Sequence, residues 1–202
     1  MKIICVGRNY ADHITELGNE RPDEPVIFMK PDTAIIKNNE PFYHPDFSND
    51  IHHEVEILVK IKKEAKSVAK EFANNYYDEI GLGIDFTARD IQTKVKEKGL
   101  PWERAKAFNG SAPISEFISK KDFDLNNLNF SLHKNGQLVQ AGNTNLMLWK
   151  IDELIANISS FILLKTGDII FTGTPKGVGQ VVIGDRLSGF IENRQMFDFE
   201  IK

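Results

Sequence analysis

The sequence predicts a strand-rich α+β domain, and three observations carry that expectation. Residues 54–62 alternate Val55, Ile57, Val59 and Ile61 against Glu54, Glu56, Lys60 and Lys62, a period-two strand pattern broken only by Leu58. Asn135-Gly136, between the apolar stretches 130–133 and 138–139, is a hairpin signal because both turn residues tolerate positive φ. Strand patterns outnumber helical ones and do not alternate with them, which disfavours the βαβ units of a parallel sheet. The 202 residues suit a single domain over 1–202.

In chain order, residues 2–6 read as a strand, and Gly7-Arg8-Asn9 turns into a short helix over 10–17 that Gly18 closes. Residues 22–45 are extended and punctuated by prolines. After the strand at 54–62, the lysine-rich stretch 60–70 is broken by Glu64, Ala65 and Val68 and reads as a solvated strand end and turn. A second strand runs over 79–86, and Thr87 then suits the N-cap of a helix through about 98, stopped by Gly99 and Pro101. Helical apolar spacing marks 147–161, and short strands at 168–172, 186–191 and 196–201 follow.

Hydrophobic residues at 41% and charged residues at 27% are ordinary for a globular protein. A formal charge of −4 argues against a nucleic-acid partner, since phosphate contacts need a surplus of Lys and Arg on one face. No apolar run reaches the length of a membrane span, so no membrane partner is expected. Cys5 is the sole cysteine, lies in the apolar run Ile3-Ile4-Cys5-Val6, and reads as a small buried core residue. It fits a reducing compartment, and the chain reads as cytoplasmic.

Glu54 and Glu56 are two apart on a strand, so their carboxylates leave one face close together. By spacing alone the pair reads as the wet side of a half-exposed strand, which Lys60 and Lys62 share. Asp85 shifts the balance, because it stands in the apolar strand Ile80-Gly81-Leu82-Gly83-Ile84, where an unpaired charge is costly. Three carboxylates sharing a hard cation offset that cost, and an all-oxygen site suits Mg²⁺, with Mn²⁺ as a substitute. His13 and Glu16, three apart on the first helix, are close enough for the carboxylate to orient the imidazole, although on spacing alone such a pair reads as surface decoration. The glycine-rich 173–179 is no phosphate loop: it lacks the Gly-Lys-Ser/Thr ending, and Pro175 removes a backbone donor.

Five segments occur in order: Gly7-Arg8-Asn9-Tyr10-Ala11-Asp12-His13, Phe28-Met29-Lys30-Pro31, His52-His53-Glu54-Val55-Glu56, Asp85-Phe86-Thr87-Ala88-Arg89-Asp90 and Gly173-Thr174-Pro175-Lys176-Gly177-Val178-Gly179. Over nearly the whole chain they resemble the successive motifs of the fumarylacetoacetate hydrolase family, and most of all its compact domain-containing protein 1 type. The resemblance implies a mixed β-roll of the kind the family's C-terminal domain adopts, and a homodimer. It also implies Glu54, Glu56 and Asp85 as metal ligands, and His13 with Glu16 as a dyad on a mobile segment that activates water. It further implies Lys106 as the active-site lysine, and Arg8, Gln92 and Thr174 as substrate-binding residues. Two departures lie at the pocket rim: Ala107 follows the lysine where Ser is common, and Val139 precedes Gln140 where Arg is common.

The activity implied is Mg²⁺-dependent hydrolysis of the C–C bond of acylpyruvates, on a small-molecule 2-oxo acid that chelates the ion. Oxaloacetate decarboxylation or tautomerisation is the first alternative, followed by a diene-dioate isomerase or hydratase of the same fold and by an inactive metal-bound binding protein. Asp85→Asn is expected to abolish metal-dependent turnover while sparing the fold.

Overall fold

The computed structural model describes residues 1–16, 18 and 20–202. In chain order its strands are β1 (Ile3–Gly7), β2 (Val26–Lys30), β3 (Ile35–Ile36), β4 (Ile51–His53), β5 (Val55–Ile61), β6 (Tyr77–Ile84), β7 (Thr87–Ala88), β8 (Ala112–Pro113), β9 (Ile118–Ser119), β10 (Asn129–Lys134), β11 (Gln137–Asn143), β12 (Ile169–Phe171), β13 (Gly179–Gln180), β14 (Arg186–Ile191) and β15 (Arg194–Glu200). The α-helices are α1 (Ala11–Glu16), α2 (Lys70–Ala73), α3 (Arg89–Glu97), α4 (Glu103–Lys106) and α5 (Ile151–Phe161). This is the expected strand-rich α+β class.

One six-stranded sheet, in the order β2-β1-β12-β5-β6-β9, carries the site. It is mixed: β1 runs parallel to β12, with Ile3 opposite Ile169, while β5 pairs antiparallel with β12 and β6. A four-stranded antiparallel sheet, β11-β10-β14-β15, packs beside it. The β10–β11 hairpin forms where Asn135-Gly136 requires it, with φ of 54° and 78° at the two turn residues.

The wet face expected for β5 does not exist. Val55 and Ile57 pack with Leu82, Ile84, Phe86 and Phe197, Val59 and Ile61 pack under α5, and Leu58 packs against Phe171. Sheet, helix and neighbouring strands therefore cover both sides of β5, and only Lys60, paired with Glu79 at 2.7 Å, reaches solvent. Leu58, which breaks the alternation, is thus a second buried face.

Other boundaries differ for local reasons. Thr87 lies in β7 rather than capping α3, whose N-cap is Ala88 without a side-chain bond. Met147 bridges Tyr10, and α5 begins only at Ile151, where Glu153 accepts from the Lys150 N–H at 2.7 Å. The helix expected over 10–17 is α1, and Leu17 lies outside the described residues. Ile151, Leu154, Ile155 and Ile158 of α5 then pack on Ile4, Val6 and Ile170 of the sheet. No described helix is long and apolar enough to cross a membrane.

Candidate active site

The antiparallel register of β5 and β6 creates the site. Val55 pairs with Ile84 and Glu56 with Gly83, so Glu54, just before β5, meets Asp85, just after β6. The Asp85 N–H donates to the Glu54 carbonyl at 2.8 Å and fixes that end. Gly83 is demanded opposite Glu56, since a Cβ there would lie 2.9 Å from both Leu58 Cδ1 and the Pro113 carbonyl. One carboxylate oxygen from each of Glu54, Glu56 and Asp85 lies within 4.8 Å of the others, and all three residues are buried.

Buried cations balance this charge. Lys106, at the end of α4, donates from Nζ to Glu54 Oε2 at 2.8 Å, Asp85 Oδ2 at 2.6 Å and Thr87 Oγ1 at 2.6 Å. Lys30, at the end of β2, sits 2.8 Å from Asp85 Oδ1 and donates to Ser111 Oγ at 2.9 Å and to the Lys106 carbonyl. Arg89, the first residue of α3, donates to Glu54 Oε1 at 2.5 Å and to Gln92 Oε1 at 2.6 Å.

The same neighbours set the protonation preferences. Burial alone would raise Glu54, but the Lys106 ammonium and the Arg89 guanidinium outweigh it and hold the carboxyl well below the usual range. Glu56 goes the other way: burial first, and then the charge of Asp85, push it well above that range, although its Oε2 accepts from the Gly173 N–H at 2.6 Å. Burial would lower Lys106, yet Asp85 and Glu54 keep it charged by raising it.

The donor set fits a divalent ion. Three buried carboxylates converge without a thiolate or imidazole among them, and Lys106 already bridges two of them, so their oxygens are aimed at a shared positive charge. Glu54, Glu56 and Asp85 would hold the ion.

One cleft gathers the remaining residues. Arg8, His13, Gln92, Lys106 and Thr174 line it together with the three carboxylates. Glu16 lies behind, with Oε2 3.2 Å from His13 Nδ1 and Oε1 accepting from the Gly177 N–H at 2.9 Å. Glu16 thereby ties α1 to the 173–179 segment, where Gly173 and Gly177 have φ of 102° and 94°. Thr174 Oγ1 donates to the Val55 carbonyl at 2.9 Å and accepts from Gln140 Nε2 at 2.9 Å.

Three supporting residues had no role in the sequence reading. Gln140 is buried; its Oε1 accepts from the Val55 N–H at 3.0 Å and meets His53 Nδ1 at 2.9 Å, joining β11 to the start of β5. Lys30 carried a signal, a lysine closing the apolar run Val26-Ile27-Phe28-Met29. Arg89 stood in a quoted motif, where its reach to Glu54 was invisible. His52 pairs with Asp50 at 2.8 Å and does not line the cleft.

Fold and site define a class: strand-rich α+β domains that hold a buried carboxylate triad in a cleft beside a histidine–glutamate pair. The C-terminal fumarylacetoacetate hydrolase family matches residues 2–202, and the chain belongs to that family. It is 41% identical over 201 residues to the mitochondrial oxaloacetate tautomerase FAHD1 of Bos taurus, covering 99% of this chain and 91% of that protein. It is 44% identical over 189 residues to the oxaloacetate tautomerase YcgM of Escherichia coli, covering 93% and 86%. A solved fumarylpyruvate hydrolase from Pseudomonas aeruginosa, in complex with Mn²⁺ and pyruvate, superposes with a TM-score of 0.94 at 32% identity, covering 100% of this chain and 89% of that one. The chain is accordingly an enzyme of the fumarylacetoacetate hydrolase family.

Proposed function

We propose that this enzyme interconverts the keto and enol forms of oxaloacetate, using a divalent cation. The cleft carries the reading: it brings a hard-oxygen triad, a buried histidine and the Lys106 ammonium to one lining, the groups that a chelated 2-oxo acid and a proton shuttle between its keto and enol forms need. The oxaloacetate tautomerases among its relatives support the same substrate. Mg²⁺ or Mn²⁺, when bound, supplies Lewis acidity toward a chelated 2-oxo acid and favours its enolate.

The chain's own residues do the rest. Gln92, pinned by Arg89, and Thr174, pinned by Gln140, orient the 2-oxo carboxylate end. Glu16 holds His13 Nδ1 as the protonated nitrogen, which leaves Nε2 to take the proton from C3 and return it. The ammonium of Lys106 offsets charge developing at the carbonyl oxygen. Burial of His13 limits water at the reacting carbon.

A second reading, acylpyruvate hydrolysis, is favoured by one observation. An adjoining cleft of about 440 Å³, lined by Phe28, Leu100 and Trp102 and reaching Lys106, could seat an acyl chain. Mg²⁺ as the working ion, a homodimer and a cytoplasmic setting belong to the proposal. The test is decay of the enol absorbance of oxaloacetate with Mg²⁺, with Mn²⁺ and with EDTA, beside pyruvate release from acetylpyruvate. Metal-dependent acceleration of enol decay is expected, and its absence with both ions overturns the tautomerase reading.

A further inference from the structure

We propose that Asn109 is a site of spontaneous modification, closing onto the Gly110 nitrogen as a succinimide that water opens to isoaspartate, and that the product unseats the two buried lysines beside the triad. Asparagine is thermolabile, and before glycine especially so, because the attacking glycine nitrogen is shielded by no side chain. The chain holds two such pairs, Asn109-Gly110 and Asn135-Gly136, and the fold treats them oppositely.

Asn135 is locked. Its Nδ2 donates to Asp185 Oδ1 at 2.7 Å, and its Oδ1 accepts from the Arg186 N–H at 2.8 Å. Both polar atoms of the amide are engaged, one with a carboxylate, so ring closure onto Gly136 must break both bonds. Asn109 is exposed, and its side chain makes no hydrogen bond among the described residues. It sits in a turn closed by the Ser111 N–H on the Phe108 carbonyl at 3.1 Å, with φ of 74° at Gly110. The Gly110 N–H is held only by a long bond of 3.3 Å to the Thr33 carbonyl.

In the reaction the Gly110 nitrogen attacks Asn109 Cγ. An N–C bond forms, the Cγ–Nδ2 bond breaks, and ammonia leaves carrying the Gly110 amide proton, with no change of oxidation state. Water then opens the ring at either carbonyl, giving aspartate, or isoaspartate whose main chain runs through Cβ and Cγ. The turn's surroundings give this change its reach. On one side Phe108 packs against Phe42 and the core. On the other Ser111 is fully buried, and its Oγ accepts from Lys30 Nζ and donates to the Lys106 carbonyl, each at 2.9 Å. Isoaspartate adds a methylene to the main chain between these two anchors, so one must shift, and Ser111 cannot shift without disturbing Lys30 and Lys106.

The test holds the native protein warm at pH 8 and maps isoaspartate by methyltransferase labelling and fragmentation of the peptides carrying 109 and 135. Isoaspartate should accumulate at 109 about tenfold faster than at 135, the factor that one hydrogen bond to a charged group supplies. In concentrated guanidinium chloride the two should react alike, because only the fold distinguishes them. Equal rates in the native protein, or a faster 135, overturn the proposal. Aged protein should lose Tm and Mn²⁺ affinity in proportion to its isoaspartate at 109, whereas Asn109→Ser treated alike keeps both, and Asn109→Asp, charged but with an ordinary main chain, keeps most of each. A Tm and affinity that ignore the isoaspartate content overturn the link to the lysines. Should Asn109→Ser fail to fold, mapping of the unmodified protein still decides where the reaction occurs.

Discussion

Asp85 has one carboxylate oxygen 2.8 Å from Lys30 and the other 2.6 Å from Lys106. Asp85→Asn removes the negative charge that both buried ammonium groups share, leaving Lys106 with Glu54 and Thr87 and Lys30 with neutral oxygens only, and the metal-free protein should lose about 3–5 kcal/mol in urea unfolding. The expectation of a spared fold took no account of these two lysines, which lie far from Asp85 in sequence, and the same unfolding measurement decides between the two outcomes. Glu56 gives the cleaner test of metal binding, because its contact is the Gly173 N–H, which an amide oxygen also satisfies. Glu56→Gln should weaken Mn²⁺ binding in calorimetry by more than the roughly 10–100-fold of a supporting residue, with the metal-free urea midpoint held or raised. Unchanged affinity would remove Glu56 from the ligand set. Cys5 is fully buried, and burial followed by the charge of Asp85 pushes its thiol up from 9.0. Ellman's reagent should label it only as the protein unfolds, and rapid labelling of the native state at pH 8 would contradict the packing.

Helix α5 depends on Glu153, which accepts from the Lys150 N–H and from Lys70 Nζ, each at 2.7 Å. Those bonds hold its pKa below 4.5, so its contribution is present above 4.5 and is lost as pH falls through the lower folded value. Glu153→Ala should cost about 0.5–1 kcal/mol at pH 7, with a difference that shrinks toward pH 3 in parallel urea titrations. In α1, His13→Ala should lower kcat/KM by about 10²–10⁴ while Mn²⁺ affinity stays, since His13 is no ligand in this arrangement. A fall in metal affinity as well would make α1 part of the cation site. The elements were legible where a local rule suffices: the period-two run gave β5 and Asn135-Gly136 gave the hairpin. The covered second face of β5, the extended Thr87 and the late start of α5 were not, because partners far along the chain decide them. The site divides likewise. Asp85 stood out as a charge in an apolar strand, and Glu54 and Glu56 followed by spacing. Gln140 and Arg89 stayed hidden because each acts on a residue 35 or more positions away, and Lys30, whose place at the end of an apolar run was a signal, gave no hint that its partner is Asp85.

At the scale of the molecule, the buried triad joins β5 and β6, so an ion bound there is linked to the whole six-stranded sheet. Mn²⁺ at a hundred times its Kd should stabilise the protein by about 2.7 kcal/mol, read as a rise in Tm that EDTA reverses. A Tm indifferent to both additions would deny the ion a place in the folded state. The parallel partnership of β1 with β12 has a kinetic consequence. Ile3 must find Ile169, and Lys2 donates from its backbone N–H to Asp168, 166 positions on. At about 5–20 residues per second, a ribosome takes roughly 8–33 s to supply that second strand after the first. Through that interval Ile3, Ile4, Cys5 and Val6, all buried in the finished protein, have no β12 to pair with, so their segment stays within reach of chaperones on the nascent chain.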